Sequence, residues 1–179
     1  MSISRESNLV IGIDPGTNIT GYALVRTAGD CPILVEAGVI RPGNKPLPER
    51  LNLLFEELNS ILNDFKPSRM AVEELYSHYK HPQTSIIMGH ARGVILMTAA
   101  RAGMEVFSYP STEIKKIITG DGRASKEKVR RMIGHILKLE LESKYFDVSD
   151  ALGVAITDLT QSRNRPELHS YLSTAQVSR

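Results

Sequence analysis

The sequence predicts an α/β fold, a five-stranded mixed sheet flanked by helices. Three apolar runs lie between residues 9 and 40 with only turn-forming residues between them, the pattern of an antiparallel meander. Beyond them, short apolar runs alternate with long stretches of helical periodicity, which implies βα units added to the same sheet. The chain has 179 residues, 41% hydrophobic and 23% charged, enough for a sizeable core in one globular domain.

Residues 9–14 form a compact apolar run and read as a buried strand; residues 21–27 and 33–40 read as the next two. "RPGNKPLP" at 41–48 is a loop. Residues 47–65 read as a helix, with Leu51, Leu54, Phe55, Leu58, Ile61 and Leu62 at helical spacing and Pro67 to stop it. Residues 69–75 are a fourth strand. A loop leads to a long helix over 82–102 that Gly103 closes. "MEVFSY" at 104–109 is the fifth strand. Two helices follow, 110–118 and 125–139, split by "TGDGR". In the second, Val129, Met132, Ile133, Ile136 and Leu137 form the face expected to be buried. A last helix runs over 147–162. The domain is expected to span 1–163, with the polar segment 164–179 as a flexible tail.

A single cysteine, Cys31, excludes an intrachain disulfide and fits a reducing compartment. The sequence has neither a signal-peptide pattern nor an apolar run of roughly 18 residues, so the expected location is the cytoplasm. Net charge is only +2, but it is unevenly spread. Lys115, Lys116, Arg123, Lys126, Lys128, Arg130 and Arg131 stand against Asp121 and Glu127 alone. Such a segment is either a solvated helix face or a nucleic-acid patch.

The apolar run at 9–14 ends on an acid, Asp14. Glu73 and Glu74 stand at the end of the fourth strand, and Asp147 and Asp150 open the last helix, three residues apart. In an α/β sheet, sites gather at strand ends. A lone carboxylate in an apolar setting is costly to ionise unless paired or metal-bound, and several that converge repel one another. A hard divalent cation such as Mg²⁺ resolves the repulsion, and two such ions support phosphodiester cleavage. Each acid also has a plain structural reading: Asp14 as a turn cap before Pro15-Gly16, Asp147 and Asp150 as acids favoured at a helix start, Glu73 or Glu74 as surface acids. Their position on three separate elements favours a site.

"GIDPGTNITGYALV", "AVEELY", "GHARGV" and "DVSDALGVAIT" together resemble, in order and spacing, the bacterial RuvC Holliday-junction resolvases, over residues 9–160. The resemblance implies the ribonuclease H-like fold, a homodimer and symmetric paired nicks in four-way DNA junctions that leave 5′-phosphate and 3′-hydroxyl ends. It implies Mg²⁺ or Mn²⁺ held by four acids, which fall on Asp14, Glu73, Asp147 and Asp150. Glu74 falls where the family varies, and strand alternation allows only one of the two glutamates to face a site. The resemblance places DNA-contacting lysines on Lys115 and Lys126, and a base-contacting aromatic, usually Phe, on Tyr76. It implies a RuvA–RuvB branch-migration complex as partner. His90 stands where relatives often have Gln, and reads as a packed or solvent-facing helix histidine. Gly89 and Gly93 would serve the family's dimer interface or, more plainly, packing on the chain's own sheet.

Competing readings are weaker. The glycine-rich start also resembles the first phosphate loop of actin, Hsp70 and sugar kinases, but those need a second domain and a second loop. A junction-binding module without catalysis would lack one of the acids. A ribonuclease H acting on hybrids would not call for the basic helix.

Overall fold

In the computed structural model the described residues are 9–29, 31–75, 82–141 and 146–162. Tyr76, the rest of the "YSHYKH" loop and the expected tail at 164–179 lie outside them. The elements run β1 (Val10–Asp14), β2 (Thr20–Ala28), β3 (Cys31–Ile40), α1 (Leu47–Phe65), β4 (Arg69–Glu73), α2 (Pro82–Arg101), β5 (Glu105–Tyr109), α3 (Ser111–Thr119), α4 (Lys126–Leu137) and α5 (Phe146–Ser162). The sheet order is β3-β2-β1-β4-β5. β1, β2 and β3 pair antiparallel; β4 joins β1, and β5 joins β4, in parallel. This is the expected five-stranded mixed sheet, a meander extended by βα units.

The sheet is covered on both faces, and strand alternation assigns each side chain to one of two cores. Ile11 and Ile13 of β1, with Met70 and Val72 of β4, pack against Leu54, Leu58 and Leu62 of α1 and Ala91, Ile95 and Ala99 of α2. Val10 and Ala71 point the other way, to Ile114 and Ile118 of α3, Val129 and Ile133 of α4, and the apolar side of α5. α5 is buried along most of its length, from Ala151 to Leu159, because it lies between the sheet and the two shorter helices.

Helix ends follow local chemistry. α1 closes at Lys66, in left-handed conformation (φ 47°), so the helix has turned before Pro67. Gly103 closes α2 at φ +69°, and Met104 N–H reaches back to the Ala99 carbonyl, as a glycine cap does. The Ser125 hydroxyl accepts from Lys128 N–H at 3.2 Å and starts α4. β4 ends at Glu73 rather than at residue 75, although Glu74 N–H still donates to the Tyr109 carbonyl at 2.9 Å. On α4 the expected apolar face is too wide by one residue. Val129 and Ile133 are buried, whereas Met132, next to Ile133, is 37% exposed.

Two glycines let α5 lie directly on the meander. A Cβ on Gly12 would stand 2.3 Å from the Ala151 carbonyl oxygen and 2.6 Å from Ala155 N; one on Gly21 would stand 2.1 Å from the Asp147 carbonyl oxygen. Backbone atoms cannot yield to such contacts. On the far side Gly153 admits Ile114 and Ile133, whose nearest carbons are 3.2 and 3.4 Å from where its Cβ would be. The outer end of α5 is fixed by the fully buried Asp158, which accepts from Tyr109 Oη at 2.7 Å and from Arg69 Nε. The Arg69 guanidinium also donates to Ser162 Oγ at 2.8 Å.

Gly12→Ala must push α5 off β1. It is expected to cost at least the ~1–3 kcal/mol of an overpacked core. Urea denaturation checks this: the midpoint should fall with the slope unchanged.

Candidate functional site

Alternation within the strands aims the first two acids. Val10, Gly12 and Asp14 of β1 face α5, as do Arg69, Ala71 and Glu73 of β4. The strands are parallel, and their last paired residues are Ile13 and Val72, so Asp14 and Glu73 leave adjacent strands side by side. α5 begins over β2 at Gly21, which sets Asp147 and Asp150, in its first turns, above those two acids. A helix start also favours negative charge.

The turn after Asp14 is held by Thr20, whose hydroxyl donates to the Gly16 carbonyl at 2.5 Å and accepts from Gly16 N–H at 3.3 Å. A Cβ on Gly16 would stand 2.0 Å from the Ile19 carbonyl oxygen, so only glycine closes this turn. The motif around "DPGT" therefore builds the turn that delivers Asp14.

The four acids interact. Burial, followed by the charges of Glu73 and Asp150, pushes Asp14 up to about 8 from its ordinary 3.8; Lys126 pulls it back and Asp147 adds to the rise. Burial first, then Asp150, raises Glu73 as well, while Lys126 and Lys115 lower it. Lys126, the first residue of α4, places its ammonium 2.8 Å from Asp150 Oδ2. That bond, foremost, raises Lys126 above the usual lysine value. Lys115 of α3 lines the same pocket as Lys126, Glu73 and Asp150. A neighbouring cleft is bordered by Asp14, Glu73, Glu74, Ser85 and Met88, so Glu73 stands between the basic pocket and the cleft on the α2 side.

Six of the seven expected site residues thus lie at one end of the sheet. The seventh, Tyr76, is outside the described residues. Glu74 is exposed and borders only the cleft on the α2 side, whereas Glu73 borders both. His90 is exposed on α2, the solvent-facing alternative of its reading. Gly89 and Gly93 do not pack on the sheet, since a Cβ on either would meet none of the described residues within 4 Å. They face outward because Ala91, Ile95 and Ala99 take the inward stripe of α2.

One residue was not singled out from the sequence. Arg92 of α2 donates to the Glu73 carbonyl at 2.7 Å and to Ser108 Oγ at 2.7 Å, tying the ends of β4 and β5 together behind the glutamate. Its sequence signal is its place in "GHARGV", where only His90 and the two glycines were read.

The donor set fits a hard divalent cation. It is all oxygen, its four members are half-buried, and each of the other three acids raises Asp14 by its charge. Among the described residues no three His, Cys, Asp or Glu side chains already stand together as a finished cation cage. Mutual repulsion and the Lys126–Asp150 bond both act against closing one without the cation.

The raised Asp14 has a thermodynamic consequence. Above pH ~4 the unfolded chain has lost a proton that the folded protein keeps up to about pH 8, so stability falls as pH rises through that window. Glu73 acts in the same direction. In EDTA, Asp14→Asn should flatten the fall and be the more stable protein at pH 8, with little difference near pH 3. Urea midpoints across this range measure it, and parallel profiles would count against the buried charge.

Comparison with known proteins places these features in a family. A family model described as crossover junction endodeoxyribonuclease RuvC matches residues 10–158. The protein of that name from Rhodopirellula baltica is 41% identical over 152 residues, covering 84% of this chain and 85% of its own. The one from Pelotomaculum thermopropionicum is 44% identical over 150 residues, covering 83% and 90%. Among solved structures, Thermus thermophilus RuvC in complex with a Holliday junction substrate superposes with a TM-score of 0.81 at 30% identity, over 87% of this chain and 95% of that one. The sheet and its helices are the ribonuclease H-like fold, and this chain belongs to the RuvC family of crossover junction endodeoxyribonucleases.

Proposed function

We propose that this protein cleaves four-way DNA junctions by paired nicks, with Asp14, Glu73, Asp147 and Asp150 as its catalytic acids. The carrying observation is their convergence from β1, β4 and α5 beside two lysines, in a chain of this family. The four would hold Mg²⁺, with Mn²⁺ as substitute. Such a cation, when bound, neutralises the scissile phosphate and lowers the pKa of an attacking water.

The remaining work belongs to the chain. Arg92 and the β1–β4 pairing hold Asp14 and Glu73 in register. Lys115 and Lys126 supply positive charge at the pocket, where they would meet backbone phosphates. Tyr76 follows the end of β4 by three residues and would stack on a base at the crossover. Products would carry 5′-phosphate and 3′-hydroxyl ends.

Two nicks in like strands call for two equal sites, which a two-fold dimer supplies. The outward face of α2 supports that arrangement. Ile86 is 62% and Met97 48% exposed, and Gly89 and Gly93 between them leave room for a second backbone. A RuvA–RuvB complex is the proposed partner on the junction. No helix among the described residues is long and apolar enough to cross a membrane, in keeping with a proposed cytoplasmic location.

The test is incubation of the purified protein with a synthetic four-way junction and with an RNA–DNA hybrid, in Mg²⁺ and in EDTA. Paired nicks in the junction alone, and in Mg²⁺ alone, are expected; cutting of the hybrid instead would refute the reading. Asp14→Asn and Glu73→Gln should each abolish cleavage while junction binding persists. Glu74→Gln, altered on the side away from the lysines, should keep most activity.

A further inference from the structure

We propose that Lys126 is a displaceable counter-ion: it neutralises Asp150 in the metal-free protein and passes to a DNA phosphate when a divalent cation binds the acids, so that cation and DNA bind with positive coupling. This rests on the reading of the four acids as cation ligands.

The Lys126 ammonium lies 2.8 Å from Asp150 Oδ2 and its charge also acts on Asp14 and Glu73, so it is a cation already seated in the acid cluster. Its seat is insecure. The Lys126 side chain is 62% exposed and that of Asp150 21%, so solvent screens the pair and releasing it sacrifices little. One ammonium carries a single charge against four carboxylates, and a hard divalent cation is the better match for that oxygen set.

Lys126 can also move without rearranging the fold. α4 is pinned to α5 through Ile133 at Gly153 and through buried Val129, while the lysine ammonium sits on a flexible four-carbon stem. Its position supplies the alternative partner. Lys126 opens α4, and a helix N-terminus disfavours a cation but favours an anion. In the metal-free protein the Asp150 carboxylate matches the ammonium; once Asp150 turns to a cation, a DNA phosphate takes its place as the partner of Lys126. Lys126 then contacts DNA only when the acids are loaded. By linkage, the cation tightens DNA by the same factor that DNA tightens the cation.

Two measurements decide it. In the first, Mn²⁺ is titrated into DNA-free protein and followed by calorimetry or electron paramagnetic resonance. Lys126→Gln should bind Mn²⁺ about tenfold more tightly than wild type, within the usual range for coupled sites. Lys115→Gln, which removes a charge from the same pocket, should change it much less. Equal affinities for wild type and Lys126→Gln, equal gains in both variants, or no Mn²⁺ bound by any of them would overturn the proposal.

In the second, binding to a junction with cleavage-resistant phosphorothioate linkages is titrated against salt, in Mg²⁺ and in EDTA. Lys126→Ala should flatten the slope of log affinity on log salt by about 0.9, one phosphate contact, in Mg²⁺ and by almost nothing in EDTA. The same flattening in both overturns the proposal. If no junction binds under any condition, the functional reading fails, while the Mn²⁺ titration still decides the role of Lys126.

Discussion

The site depends on how closely α5 approaches β1 and β2. The helix backbone lies where the Cβ atoms of Gly12 and Gly21 would be, and only glycine at those positions lets it settle there. Because its N-terminal turns cross the end of β1, the same contact that buries Ala151 and Ala155 sets Asp147 and Asp150 over Asp14. Core packing and site assembly are one event. The Tyr109–Asp158–Arg69 cluster fixes the other end of the helix and its register along the sheet.

What the packing assembles is electrostatically unfavourable by itself. Apolar burial holds four carboxylates close enough that three of them raise the fourth, and a proton on Asp14 relieves part of the repulsion. Lys126, delivered by α4 from across the pocket, offsets a further part. A cluster maintained at a cost to stability is what a cation site requires before its cation arrives. The basic segment that looked ambiguous as sequence therefore has two parts. Lys115 and Lys126 line the pocket with Glu73 and Asp150, whereas the exposed Arg123, Lys128 and Arg131 do not line it.

Much of this was legible in the sequence, because it lies in local pattern. The apolar spacing in α1 marks the helix over the bounds it has, and turn residues separate the three strands of the meander. The acids were legible because each sits at the end of an element, where period-two alternation and helical spacing say which way side chains point. Contacts distant in sequence were not legible. The bond from Arg92 to the Glu73 main chain and the Lys126–Asp150 pair each join residues that only the fold brings together. Nor does a small-residue stripe say which way it faces, so Gly89 and Gly93 allowed packing on the sheet when they open outward. Met132 shows the same limit, since hydrophobicity marks a face only to within a residue's width.

The central claim is that α5 completes a cation site begun by β1 and β4. Anomalous diffraction from crystals soaked in Mn²⁺ tests it most directly. The account predicts an anomalous peak bounded by Asp14, Glu73 and at least one of Asp147 and Asp150, lost in Asp14→Asn crystals. A peak away from Asp14 and Glu73, or one held by α5 alone, would contradict it.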